Sequence, residues 1–222
     1  MQHPIHIVST KKLSEKQKQQ LLNVDFSVLD ENFIRIQIRD FEVDVINEYV
    51  IFTSQNAVES VLRNTKAAEI KTKKCFCVGE KTKALLEQND FEIIEYSDYA
   101  AELASIICNQ YSKNSFTFFC GNIRRDVLPD ALRLVQIVLD EVEVYQTLSE
   151  THKIAFIPDG ILFFSPSAVE SYLQKNKIEN EACFCIGNTT AEALKTVTSN
   201  IIIAHQPTVE SVVMKCIEYY KN

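Results

Sequence analysis

The sequence is poor in several things, and each shortage narrows what the chain can be. It has four glycines, two methionines and no tryptophan in 222 residues. It contains neither the G-x-G-x-x-G of a dinucleotide fold nor a phosphate-binding P-loop, so the glycines that bring backbone against pyrophosphate are missing. H-E-x-x-H and G-x-S-x-G are also absent, leaving zinc-protease and serine-hydrolase chemistry unsupported. No apolar run approaches the roughly 18 residues of a membrane span. Positive charge is in deficit, with 23 Lys and Arg against 30 Asp and Glu for a net charge of −7. That balance disfavours nucleic acid as a partner, which needs a basic face, but not small anions held by backbone amides. The opening stretch MQHPIHIVST lacks the basic-then-apolar order of a secretory leader, and a cytoplasmic location is expected.

Cysteine, by contrast, is plentiful, at seven. Cys75 with Cys77, and Cys183 with Cys185, alternate with apolar residues. Side chains two apart on a strand face the same way, as small apolar fillers do. A C-x-C metal or redox site is the sharper alternative, yet no histidine or second cysteine pair stands at ligand spacing. No metal and no cofactor are expected. The four histidines (His3, His6, His152, His205) form no pattern.

The chain repeats itself. IFTSQNAVESVL begins at Ile51 and LFFSPSAVESYL at Leu162, with Ser54 and Ser165 lying 111 positions apart (165 minus 54). CFCVGEKT from Cys75 and CFCIGNTT from Cys183 follow at 108 positions (183 minus 75). A repeat of half a chain is too long for a solenoid and implies two related halves.

Between the motifs, strands alternate with helices. HIVST (residues 6–10) reads as a strand leading to a helix from Ser14. After Tyr49 come four strand–helix units, and after Gly160 three more. Such alternation implies parallel sheets covered on both faces, each half a flavodoxin-like or Rossmann-like sandwich. The N-terminal strand–helix supplies the missing unit if it folds with the C-terminal half. The expected domains are therefore 1–36 with 147–222, and 37–146. The alternating segments Phe33–Arg39 and Val142–Thr147 would cross between them as a two-stranded antiparallel linker, with a cleft between the domains.

Parallel α/β sheets bind ligands at the carboxyl ends of their strands. Those ends read TSQN, GEKT, CGN, SPS and GNTT. Each places Ser, Thr, Asn or Gly where a helix begins and backbone N–H groups are free. One such turn is a helix cap; five around a shared cleft make an anion site the better reading.

FTSQNAV, CGNIRRDVLPDAL, VYQT, FFSPSAV, IGNTTAEAL and PTVESV, in this order from about Tyr49 to Met214, resemble the uroporphyrinogen-III synthase family. The resemblance implies two α/β domains on a two-stranded linker. It implies a cofactor-free hydro-lyase of heme and other tetrapyrrole biosynthesis. The substrate would be the linear tetrapyrrole hydroxymethylbilane, closed to uroporphyrinogen III with inversion of the terminal ring and loss of water. Such work is mostly positioning and charge stabilisation, needing placed donors rather than a metal or a triad. By pattern alone Tyr145 of VYQT is one more large residue on a linker strand. The resemblance makes it the catalytic candidate, a phenol beside the departing hydroxyl. It also implies substrate-binding roles for Ser54, Gly79, Gly121, Asn122, Arg125, Ser165, Ser167, Thr189 and Thr190, with Arg125 in the first helical turn after CGN. Lys81 and Lys83 are further cations or plain surface lysines. Nothing demands more than a monomer, and no membrane or nucleic-acid partner is expected. Three rivals remain open, a non-enzymatic hinge-type protein binding a small polyanion, a flavodoxin-like flavin or nucleotide enzyme, and a catalytically inactive relative in a regulatory role.

Overall fold

The computed structural model describes residues 4–221; His3 lies outside them. The chain divides into two compact units: one joins the segment up to Arg35 to the segment from Leu148, and the other is Ile36–Thr147.

The first unit begins with β1 (His6–Ser9), α1 (Glu15–Leu22) and β2 (Ser27–Asp30). Ser14 starts α1 with a capping box, its hydroxyl accepting from the Gln17 N–H while the Gln17 side chain accepts from the Ser14 N–H. β2 was not foreseen. It is four residues long, only partly buried and at the edge of its sheet, so SVLD carries no clear alternation. The chain then runs through β3 (Ile34–Ile38) into the second unit.

There, β4 (Tyr49–Phe52) leads to α2 (Gln55–Leu62) and the short α3 (Ala67–Lys71). β5 (Lys74–Val78) leads to α4 (Glu80–Glu87), β6 (Glu92–Ser97) to α5 (Ala100–Gln110), and β7 (Phe116–Gly121) to α6 (Val127–Leu134). β8 (Leu139–Ser149) carries the chain back, longer at both ends than the expected Val142–Thr147. The first unit then resumes with β9 (Gly160–Phe163) and α7 (Pro166–Leu173), β10 (Ala182–Cys185) and α8 (Asn188–Glu192), and β11 (Ile201–Ile203) and α9 (Val209–Lys221).

The two sheets share one plan. The second unit orders its strands β3-β8-β7-β4-β5-β6, with β8, β7, β4, β5 and β6 joined by parallel pairings. The first orders them β11-β10-β9-β1-β2, again parallel throughout. Counted from the duplicated strand, each order is 3-2-1-4-5. That is a doubly wound order of parallel strands. In the first unit, β1–α1–β2 stands where β7–α6–β8 stands in the second.

Period-two alternation decides each core. In the second unit Val50, Phe52, Cys75, Cys77 and Phe119 pack on one face, with Ile51, Phe76, Phe116, Phe118 and Cys120 on the other. In the first, Val8, Ile161, Phe163, Cys183 and Cys185 oppose Ile7, Leu162 and Phe184. Both C-x-C pairs are therefore buried fillers, unbonded to one another. Burial pushes the Cys77, Cys183 and Cys185 thiols up to about 12. Raised values mean neutral, unreactive thiols near neutral pH. Of the seven cysteines only Cys108 is partly exposed. Ellman's reagent at pH 8 should accordingly titrate one thiol rapidly, and all seven only after denaturation. Fast reaction of several thiols in the folded protein would contradict this core.

Candidate active site

A sheet wound in both directions opens a crevice where the winding reverses. In the second unit that point lies between β4 and β7, beyond Phe52 and Gly121. A cavity of about 300 Å³ occupies it, lined among others by Ser54, Asp98, Gly121, Arg124, Arg125 and Tyr145. Val78, Phe118, Ile123 and Leu128 give it apolar walls. Its volume is at the low end of the usual range of about 300–1,000 Å³ for ligand pockets. A larger cavity, about 470 Å³, lies in the first unit between residues 153–158 and 172–181. It sits at the amino ends of β9 and β10, away from the helix N-termini that favour anions, and its size alone does not make it the site.

Tyr145 reaches the smaller cavity through a bulge. Phe119 pairs with Val142 and Cys120 with Glu143, but Gly121 pairs with Tyr145, skipping Val144. A bulge re-aims side chains, and here the consecutive Val144 and Tyr145 both join the same core face. The skipped Val144 carbonyl accepts instead from the Arg39 N–H at 3.0 Å, just beyond β3. The Tyr145 ring, 7% exposed, lies directly over Gly121. A Cβ on Gly121 would stand 2.5 Å from Cζ and 2.9 Å from the phenol oxygen. The glycine thus makes room for the ring. The phenol donates to Ser54 Oγ at 3.2 Å, and Ser54 Oγ also accepts from the Asn56 N–H at 3.1 Å, capping α2.

Charge gathers at the rim. Arg124 pairs with Glu141 and lies 3.5 Å from Asp126. Its charge opposes the effect of burial on Cys120, whose thiol still rises to about 11. Arg125 is exposed and lies in the loop, since α6 starts only at Val127; the expected helical placement is corrected. Asp98 accepts from the Tyr96 hydroxyl, a bond that raises the phenol's pKa ahead of burial and of Glu80.

Four expected residues of this unit, Ser54, Gly121, Arg125 and Tyr145, therefore line one cavity. Gly79 and Asn122 do not. Gly79 caps α4 at φ +89°, its N–H given to the Ser97 carbonyl at 3.0 Å. The Asn122 side chain is spent on Thr147, accepting from its N–H at 2.8 Å and donating to its carbonyl at 3.4 Å, while its own N–H goes to the Tyr145 carbonyl. Lys83 sits over the Tyr96 ring and 3.8 Å from Glu87; Lys81 is exposed.

The remaining expected residues belong to the first unit. Ser165 caps α7, accepting from the Ala168 N–H at 3.1 Å, with Ser167 half-buried behind it. Thr189 is exposed and Thr190 is 2% exposed within α8. At the matching reversal between β9 and β1, the amides of Thr10, Lys12 and Leu13 go to Leu162, Asn32 and Asp30. Asp98, Tyr99 and Arg124 were missed. SDYAA carries the same turn-before-helix signal as the five turns chosen, and Arg124 adjoins Arg125.

The family model for uroporphyrinogen-III synthase HemD matches residues 17–214. The chain belongs to the uroporphyrinogen-III synthase family. It is 28% identical over 198 residues to the porphyrin biosynthesis protein HemD of Ruminiclostridium josui, covering 78% of this chain and 38% of that protein. To the uroporphyrinogen-III synthase of Saccharomyces cerevisiae it is 26% identical over 156 residues, 57% of each. The chain thus spans between a third and three-fifths of these curated relatives. The solved uroporphyrinogen-III synthetase of Helicobacter pylori superposes with a TM-score of 0.75 at 20% identity, over 97% of this chain and 99% of that one. A mutant uroporphyrinogen III synthase from Thermus thermophilus gives 0.70 at 13%, over 98% and 99%. At such identities these structures speak to the fold, and it is the family's α/β fold.

Gly121→Ala should displace the Tyr145 ring and cost about 1–3 kcal/mol, as overpacking does. In a Tyr145→Ala background the same change should cost little, because the clashing ring is gone. Urea unfolding of the four proteins measures the coupling, and additive losses would refute the packing.

Proposed function

We propose that this protein is a uroporphyrinogen-III synthase, a hydro-lyase that closes hydroxymethylbilane to uroporphyrinogen III. The single observation that carries the reading is a family match across nearly the whole chain, residues 17–214. The cavity of the second unit supports it chemically. Apolar walls suit the faces of a pyrrole ring, Arg125 and Arg124 at the rim suit acetate and propionate groups, and the Tyr145–Ser54 pair offers hydroxyls to a leaving oxygen.

In this reading the terminal hydroxymethyl ring enters the cavity and loses its hydroxyl as water. The ring is then inverted through a spirocyclic intermediate before the macrocycle closes. The protein supplies orientation, so that the spiro attack outruns simple end-to-end closure, and a proton for the departing oxygen. This needs no metal or cofactor, and we assign the activity to the monomer in the cytoplasm. The turns of Ser165, Ser167, Thr189 and Thr190 are proposed to hold further carboxylates, as are the turn at Gly79 and the Gly121–Asn122 turn. The domains are taken as 1–36 with 147–222, and 37–146. We further read β3 and β8 as an antiparallel linker, supported by Arg39 N–H bonding to Val144 and Glu150 N–H to Phe33.

Freshly made hydroxymethylbilane, incubated with the protein and then oxidised, should give the type III porphyrin isomer. Without protein it should give type I. Type I alone from folded protein would overturn the reading. Removing one charge-assisted contact costs about 1.5–3 kcal/mol. Arg125→Ala should therefore raise KM at least about tenfold with a smaller change in kcat, an effect that shrinks as salt is added.

A further inference from the structure

We propose that Ser54, and not Tyr145, hands the proton to the departing hydroxyl, with Tyr145 acting behind it. This rests on the synthase reading above. Ser54 Oγ has two lone pairs and one proton. The Asn56 N–H, which can only donate, takes one lone pair at 3.1 Å. The second faces the Tyr145 oxygen at 3.2 Å. Between two hydroxyls the more acidic one donates, and a phenol, with an ordinary pKa near 10, is far more acidic than an alcohol. The phenol proton is therefore spent on Ser54. With both lone pairs of Ser54 occupied, its own proton must point away from both partners, and Ser54 lines the cavity.

The rest of the local structure holds this pair together. The bulge at Cys120 and Gly121 brings Tyr145 opposite Gly121. The missing side chain of Gly121 makes room for the ring, since a Cβ there would meet the phenol oxygen at 2.9 Å. The α2 cap fixes Ser54 on the other side.

The step balances. As the carbon–oxygen bond of the hydroxymethyl group breaks, the leaving hydroxyl takes the Ser54 proton and departs as water. Ser54 takes the phenol proton. The pyrrole N–H of the same ring, which becomes acidic as the exocyclic carbon–carbon double bond forms, then returns a proton to Ser54, and Ser54 passes one back to the phenolate. Ser54 is then the catalytic residue and Tyr145 a positioning residue that feeds it.

Ser54→Asn separates this from a structural role. Asparagine caps helices as well as serine does, and its side-chain oxygen still accepts from the phenol, but an amide does not pass on a proton. We expect Ser54→Asn to keep the fold and lose kcat by about 100-fold or more, the usual worth of general acid catalysis, with KM little changed. Tyr145→Phe should lose kcat comparably. The double variant should be no slower than the slower single one, because groups acting as a unit are not additive. Ser54→Thr, which restores the hydroxyl, should recover most of the loss. Near-normal kcat in Ser54→Asn with collapse in Tyr145→Phe would make Tyr145 the direct donor and overturn the relay. So would losses that multiply in the double variant, or failure of Ser54→Thr to recover activity in a folded protein. Absence of type III product from the unmodified protein would instead strike the synthase reading itself.

Discussion

Where a parallel sheet reverses its winding, two neighbouring strands send their chains to opposite faces and nothing covers the gap between their ends. Everything assigned to the candidate site follows from that constraint. In the second unit the gap falls between β4 and β7. One wall is therefore the turn carrying Ser54 and the other the turn carrying Gly121 through Arg125. β8, next to β7, is the one strand whose register can deliver a large side chain over the glycine. The bulge performs that delivery, and it costs no orphaned carbonyl because Arg39 collects the one at Val144.

In the proposed relay, the Ser54 hydroxyl serves both stability and chemistry. Its N-cap bond is worth about 0.5–2 kcal/mol to the helix, and the cap is also what orients the oxygen toward Tyr145. Ser165 repeats the cap, accepting from the Ala168 N–H, and β2, the counterpart of β8, ends at Asp30. Among the described residues, the phenol–serine pair is seen at Ser54. Satisfied amides at the first unit's reversal, given to Asp30, Asn32 and Leu162, point the same way.

Much of this was legible in the residues, for identifiable reasons. The period-two cores and the Ser-before-helix turns are local signals, and they placed β4, β5, β9 and β10 with their helices. The match between β1–α1–β2 and β7–α6–β8 was foreseen only in outline, because SVLD is too short and too exposed to read as a strand. The site was legible as a set of turns and not as an arrangement. Nothing local says that Ser54 and Tyr145, far apart in the chain, share a hydrogen bond. Nothing local says that Gly121 is a seat for a ring rather than a donor of its amide. A one-residue bulge is likewise invisible to pattern, though it decides which face Tyr145 joins. Asp98 sits in a turn with the same local signal as the five read as sites, and Arg124 sits beside Arg125 in one of them, so no local pattern separates the residues that line the cavity from those that do not.

The interrupted first unit has a consequence for how the protein is made. Its strand β1 pairs with the central strand β9, matching Ile7 to Gly160 and Ser9 to Leu162. The second unit, Ile36–Thr147, is a single stretch of chain. On the ribosome, at about 5–20 residues per second, that stretch is complete before β9 is made. The inserted half can therefore close its own sheet while β1, paired with β2, still waits for β9. The N-terminal segment spends that interval with an unpaired strand edge and an uncovered apolar face, the state most exposed to aggregation and to chaperones. Closure of the outer half has to wait for β9, whereas the half that carries the cavity is by then already synthesised.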